Sequence, residues 1–232
     1  MKVIMKAMLV CLMATVALRA DIKVVSVKGD VQVRRGMSEQ WQSLAKGDIL
    51  KPEDSMKSGK KSAAVMQIDG GKQIALPELA IIDCSDLKKL SQEELLLMLA
   101  MERVRSVPSR NTGDEFTIPR TTTVHGENMN VVESGLEGNS EIGLLQLNGT
   151  KVLHDQGFYA TCVLKAKEVF RLNPDLMKLV SFRLVVADAL EKMKLRGEAL
   201  SEYNSLKGER LTPQQRSLVG QRIDQLKKKN EG

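Results

Sequence analysis

The sequence predicts an α+β fold in which an antiparallel β domain comes first, followed by a helix, a linker and an array of helical hairpins. Three observations carry this. Short alternating apolar segments punctuated by glycine fill residues 21–85, a Pro-, Gly-, Ser- and Asn-rich stretch occupies 108–139, and the apolar period changes to helical over 140–230. Apolar residues make up 42% and charged residues 28%, a balance that supports a packed core.

Residues 1–20, MKVIMKAMLVCLMATVALRA, place Lys2 and Lys6 before an apolar run from Ala7 to Leu18, with small residues at Ala17 and Ala20. That is the grammar of a cleaved signal peptide, and the run is too short to span a bilayer. The expectation is a periplasmic or secreted protein beginning at Asp21, with no integral membrane span after cleavage. Val10 before Cys11 is bulkier than lipoprotein processing accepts. Losing Lys2, Lys6 and Arg19, and no acid, takes the formal charge from +6 to +3. With acids and bases interspersed and only 3% aromatics, nucleic acid is not an expected partner.

Within 21–85 the segments IKVVSV, VQVRR, AAVMQI, KQIAL and AIID alternate as strands, broken at Gly29-Asp30, Gly36, Gly47-Asp48, Ser58-Gly59 and Gly70-Gly71. Gly29, Gly47, Asp48, Gly59, Gly70 and Gly71 are therefore assigned to structural turns. The stretch MQIDGGKQIAL runs from one strand pattern into another. A phosphate-binding loop would lead into a helix, so Gly70-Gly71 is read as a two-residue hairpin turn with positive φ.

Four groups of residues in this region carry a resemblance: Gly29-x-Val31-x-Val33; Trp41-x-x-Leu44-x-x-Gly47-Asp48-x-Leu50; Met56-x-Ser58-Gly59-x-x-Ser62-Ala63-x-Val65-x-x-Ile68-x-Gly70; and Ile74-x-Leu76-Pro77. Over about residues 23–83 the chain resembles the FecR-type extracytoplasmic domain. Glu53, Ser58 and Ala80 depart from that pattern, which weakens any polar contact expected at the last turn. The resemblance implies a β platform that senses or docks a cell-envelope component. The transmembrane helix and sigma-factor-directed segment of regulators of that kind have no counterpart in the pattern of this sequence.

Ser91-Gln92-Glu93-Glu94 reads as a capping box opening a connecting helix within 86–107, whose stripe runs through Leu95, Leu96, Met98, Leu99 and Val104. The linker at 108–139 has room for extended pieces at EFTI and TTVH. Beyond it, residues 142–172 and the stretch from Phe182 to Leu206 each fit helix, turn, helix. Asn148-Gly149 could be a hairpin turn, but Leu144, Leu145, Leu147, Val152 and Leu153 favour a helix ending at Gly157. Gly157, Tyr159, Cys162, Ala166 and Pro174, then Ala187, Leu190, Ala199 and Tyr203, resemble the residue types of tetratricopeptide repeats. Cys162, Ala166, Ala187, Ala199 and Tyr203 are the expected helix-packing positions, and Arg183, Lys194 and Glu202 the expected open surface. A last helix from Pro213 to about Lys229 would close the stack.

No spacing points to catalysis. Cys162 with His154-Asp155 is the nearest approach to a nucleophile and base, but Cys162 occupies a packing position. His125 and His154 offer no metal-ligand spacing, so no metal, cofactor or catalytic residue is expected. Cys84 and Cys162 are either buried thiols or a long-range disulfide. The function that fits is an exported, non-catalytic interaction or scaffold protein whose partners are proteins of the cell envelope. The alternative is an extracytoplasmic sensor relaying a signal to a membrane partner.

Overall fold

The computed structural model describes residues 22–68, 71–106 and 134–228. The leader at 1–20 with Cys11, the turn residue Gly70, the linker stretch 108–133 with His125, and Lys229 at the end of the basic run lie outside them.

Among the described residues eight strands form two four-stranded antiparallel sheets. One has the order β4 (Ile49–Leu50), β1 (Ile22–Lys28), β6 (Ala63–Gln67), β7 (Gln73–Leu76). The other has β3 (Trp41–Ser43), β2 (Val31–Arg34), β5 (Ser55–Ser58), β8 (Ile81–Asp83). Alternation places Val24, Val31, Val33, Met56, Met66, Ile74, Leu76 and Ile82 in the core. Alternation does not predict the strands β3, β4 and β5, because β4 is only two residues long and β3 and β5 are short and partly polar. β5 reads Ser-Met-Lys-Ser and still occupies the middle of its sheet, since both serines have partners. The Ser58 hydroxyl donates to the Pro77 carbonyl at 2.5 Å and accepts from the Ala80 amide at 3.1 Å, tying the turn before β8 to the sheet.

The hairpin between β6 and β7 is longer than the two-residue turn expected. Ile68 N–H donates to Lys72 O at 2.9 Å and Gly71 N–H to Ile68 O at 3.2 Å, so the closing pair is Ile68 and Lys72. Gly71 has φ +81°, the left-handed residue that a three-residue hairpin connection requires.

Among the described residues six α-helices follow: α1 (Gln92–Ser106), α2 (Ser134–Asp155), α3 (Tyr159–Leu172), α4 (Val180–Lys192), α5 (Arg196–Leu206) and α6 (Pro213–Lys228). At the start of α1, Ser91 N–H donates to Glu94 Oε2 at 2.7 Å and Glu94 N–H to Ser91 Oγ at 3.1 Å, the reciprocal pair of a capping box. Thr212 and Gln215 repeat the device at α6. Leu95 and Leu99 of the α1 stripe are buried, while Leu96, Leu97 and Met98 are exposed. α2 begins at Ser134, inside the stretch read as linker, where Gly135 and Gly138 lower intrinsic helix propensity. The same helix runs through Asn148-Gly149, so the hairpin alternative there does not occur.

The helices are pressed directly onto the β domain. A Cβ placed on Gly149 of α2 would lie 1.9 Å from the Ile81 carbonyl oxygen of β8, so only glycine permits this approach. Asn148 Nδ2 donates to Leu79 O at 2.8 Å, Thr161 Oγ1 to Asp86 O at 2.8 Å, and Lys165 Nζ contacts Asp83 Oδ2 at 2.7 Å. One apolar core runs from Val24 and Met66 through Leu147 and Val163 to Leu226. Among the described residues no helix is long and apolar enough to cross a membrane.

Candidate docking groove

α1 packs on α3, and α3, α4 and α5 pack on one another in sequence. Their arrangement leaves a groove of about 470 Å³ between α1, α3, α5 and the 3₁₀ segment Pro174–Lys178. Leu99, Phe170 and Leu190 form an apolar floor, and Met177, 44% exposed, stands at its mouth. Met98, one helical turn before Glu102 of the α1 wall, is also exposed.

The walls are charged and internally paired. Arg171 of α3 pairs with Glu102 of α1, and Lys167 Nζ lies 3.2 Å from Glu202 Oε2 of α5. Arg183 corrects the surface expectation. It is only 5% exposed, its Nε lies 3.0 Å from Glu202 Oε1, its Nη1 lies 2.9 Å from Glu209 Oε1, and its Nη2 donates to Ser205. An arginine in a helix pattern reads as surface, but a fork of donors can be buried when each branch meets an acceptor. Glu202 is drawn inward with it. Lys194 is exposed, and it has φ +61°.

The expected packing residues lie between helices: Cys162, Ala166, Ala187 and Ala199 are fully buried and Tyr203 is 2% exposed. Burial, with the charges of Glu191 and Asp188, raises the Tyr203 phenol above its ordinary range. Of the expected turn residues, Gly29, Gly47 and Gly71 have positive φ, whereas Gly59 does not. A Cβ on Gly59 would instead lie 3.3 Å from the Asp30 carboxylate and 3.4 Å from its carbonyl, which makes it a close-approach glycine. The Asp48 carboxylate accepts from Ala45 N–H at 3.0 Å and closes its own turn.

Cys84 and Cys162 are both buried and free. Burial pushes each thiol up to about 12, with the charges of Asp54 and Asp83 adding to Cys84 and those of Asp155 and Asp188 to Cys162. A thiol held protonated is a poor nucleophile. His154 is engaged elsewhere, its Nε2 2.7 Å from Asp188 Oδ2 and its Nδ1 3.2 Å from Asp155 Oδ1. Among the described residues no group of three His, Cys, Asp or Glu side chains is placed to hold a metal ion.

The groove joins residues from five elements, which is why spacing along the chain did not reveal it. The one local signal is Lys167 and Arg171, a turn apart on α3 beside Phe170. No protein-family model matches this sequence, and neither characterised proteins nor solved structures give a match. The FecR-type and tetratricopeptide resemblances accordingly rest on the residues quoted for them.

Proposed function

We propose that this chain is an exported, non-catalytic interaction protein of the cell envelope that receives a protein segment in the groove between α1, α3 and α5. The observation that carries this reading is the groove's construction: an apolar floor open to solvent, walled by side chains held in fixed pairs. Leu99, Phe170 and Met177 offer an apolar anchor site, and a thioether at the mouth adapts to different side chains. Lys167 and Arg171, about one-third exposed, present donors beyond those used by Glu202 and Glu102. Apolar anchoring with a few oriented polar contacts is the usual physics of a peptide site. The leader pattern and the FecR-type residues support the envelope as the setting.

Capture from envelope extract by the mature chain tests this reading when wild type is compared with Met177→Arg and Arg171→Glu. Both side chains lie at the rim, so melting temperatures are expected to stay within a few degrees of wild type. The captured protein should be lost with either variant. Capture that survives both substitutions would exclude this groove as the docking site.

A further inference from the structure

The outer face of the second sheet holds a cluster that the groove does not use. Arg34 of β2 is paired across the ladder with Trp41 of β3, and Gln32 of β2 with Lys57 of β5. The Trp41 indole therefore reaches from the edge strand across β2: the Arg34 guanidinium carbon lies 5.4 Å and the Lys57 ammonium 4.7 Å from its ring centroid. Among the described residues neither cation forms an ion pair with a carboxylate, although the Arg34 charge is one of those that hold the Asp83 carboxyl low. Arg34 Nη2 donates to Ser55 Oγ at 3.1 Å, and its Nε is buried with no partner. The neighbouring acid, Asp83, is already engaged by Lys165 at 2.7 Å and by Ser55 at 2.6 Å.

Two cations gathered on one ring repel each other, and attraction to the ring face offsets only part of that repulsion. An anion would complete the cluster. β3 also lies at the edge of its sheet, with Gln42 and Ser43 exposed beside Trp41. An edge strand offers a row of amide and carbonyl groups on its open side.

We propose that the β3 edge, with Trp41, Arg34 and Lys57, binds an acidic extended protein segment that adds to the sheet as a further strand. Main-chain hydrogen bonds to β3 set the register. Side chains two residues apart on the added strand share a face, so alternate carboxylates fall on the side that carries Trp41, Arg34 and Lys57. This inference rests on the reading of the chain as an interaction protein, but it concerns a separate surface.

Trp41 is the sole tryptophan of the chain, so its emission reports on this site alone. The probe is a blocked peptide of about ten residues alternating Glu and Thr, within the usual length of a strand. The expected result is a saturable change in emission whose affinity falls at least tenfold in the Arg34→Gln, Lys57→Gln double variant. It should fall similarly when Gln replaces Glu in the peptide, or when alternate peptide nitrogens on its pairing edge are methylated. Lys57→Gln alone, at a half-exposed side chain, is the companion variant should the double variant melt early, and it should weaken binding severalfold. No saturable change, or equal affinity in the variants, would overturn the proposal. So would equal affinity for the methylated peptide or for an anionic oligosaccharide of matched charge, either of which would reduce the cluster to a simple anion site. Groove capture is scored with Met177 and Arg171 variants, so the two readings fail separately.

Discussion

The two helical hairpins have the same loop geometry and differ in what they are pressed against. α2 ends with Gly157 at φ +81°, Phe158 N–H donating to Leu153 O at 2.8 Å and Gly157 N–H to His154 O at 2.9 Å. α4 ends with Lys194 at φ +61°, Leu195 N–H donating to Leu190 O at 3.0 Å and Lys194 N–H to Glu191 O at 2.9 Å. Both are Schellman caps, one built with glycine and one without. One helix further on, Cys162 and Ala199 hold the same fully buried position. The first hairpin, however, gives up a side chain at Gly149 to lie on β8, where the equivalent residue of the second is Val186. The first hairpin is thus packed into the β domain's core through α2 while its α3 faces the groove, and the second hairpin supplies the rest of the groove through α4 and α5. A repeat unit can keep its internal geometry while its outer face is reassigned.

The comparison breaks most severely at Gly149. Gly149→Ala drives a Cβ into the Ile81 carbonyl, and equilibrium denaturation is expected to show a loss of about 4 kcal/mol or more. Val186→Ala, at the equivalent place, should cost about 1–3 kcal/mol through lost burial alone. Next comes Arg183, the charge inside the second hairpin. Arg183→Ala leaves Glu209 without its partner and Glu202 with only Lys167, and should cost about 2–4 kcal/mol, a figure reduced from the buried-pair range by that remaining lysine.

The interface between β domain and first hairpin also has a titrating group. Burial raises the Asp86 carboxyl, and although Lys165 and Lys88 oppose this while Asp83 and Glu168 add to it, the value is pushed up to about 7 from 3.8. Its native pKa lies above the unfolded value, so between about pH 4 and 7 the folded state holds more protons than the unfolded one. Stability from this group is full below that window and is lost as pH rises through it. Asp86→Asn should flatten that slope in denaturation curves and raise stability at pH 8 by on the order of 2 kcal/mol. The smallest expected effect is at the caps. Lys194→Gly should stabilise by up to about 1 kcal/mol by relieving a left-handed Cβ, and Gly157→Lys should cost about the same.

These positions show what was legible in the sequence. The segments of β1, β2, β6 and β7 were visible because each buries alternate residues, β8 because its two isoleucines are both buried, and the helix ending at Gly157 followed from apolar period and a glycine stop. β5 was hidden because Ser55 and Ser58 enter the interior through hydrogen bonds that cross the sequence, to Asp83 and to the Pro77–Ala80 turn. Gly149 gave no sign of its role, since a glycine inside a helix pattern looks the same whether it marks weakness or close approach. The groove walls were illegible for a related reason: Glu102, Arg171 and Glu202 acquire meaning only when α1, α3 and α5 are side by side. The inward turn of Arg183 depends on Glu202 and Glu209 arriving from the next helix and its exit.

Placing a photo-crosslinking residue at position 177, and separately at the fully exposed Met37 of the β2–β3 connection, tests the central claim most directly. The docking account predicts one discrete adduct from position 177 in envelope preparations, diminished by Arg171→Glu and absent from position 37. No adduct from position 177, or the same adducts from both positions with no effect of Arg171→Glu, would contradict it.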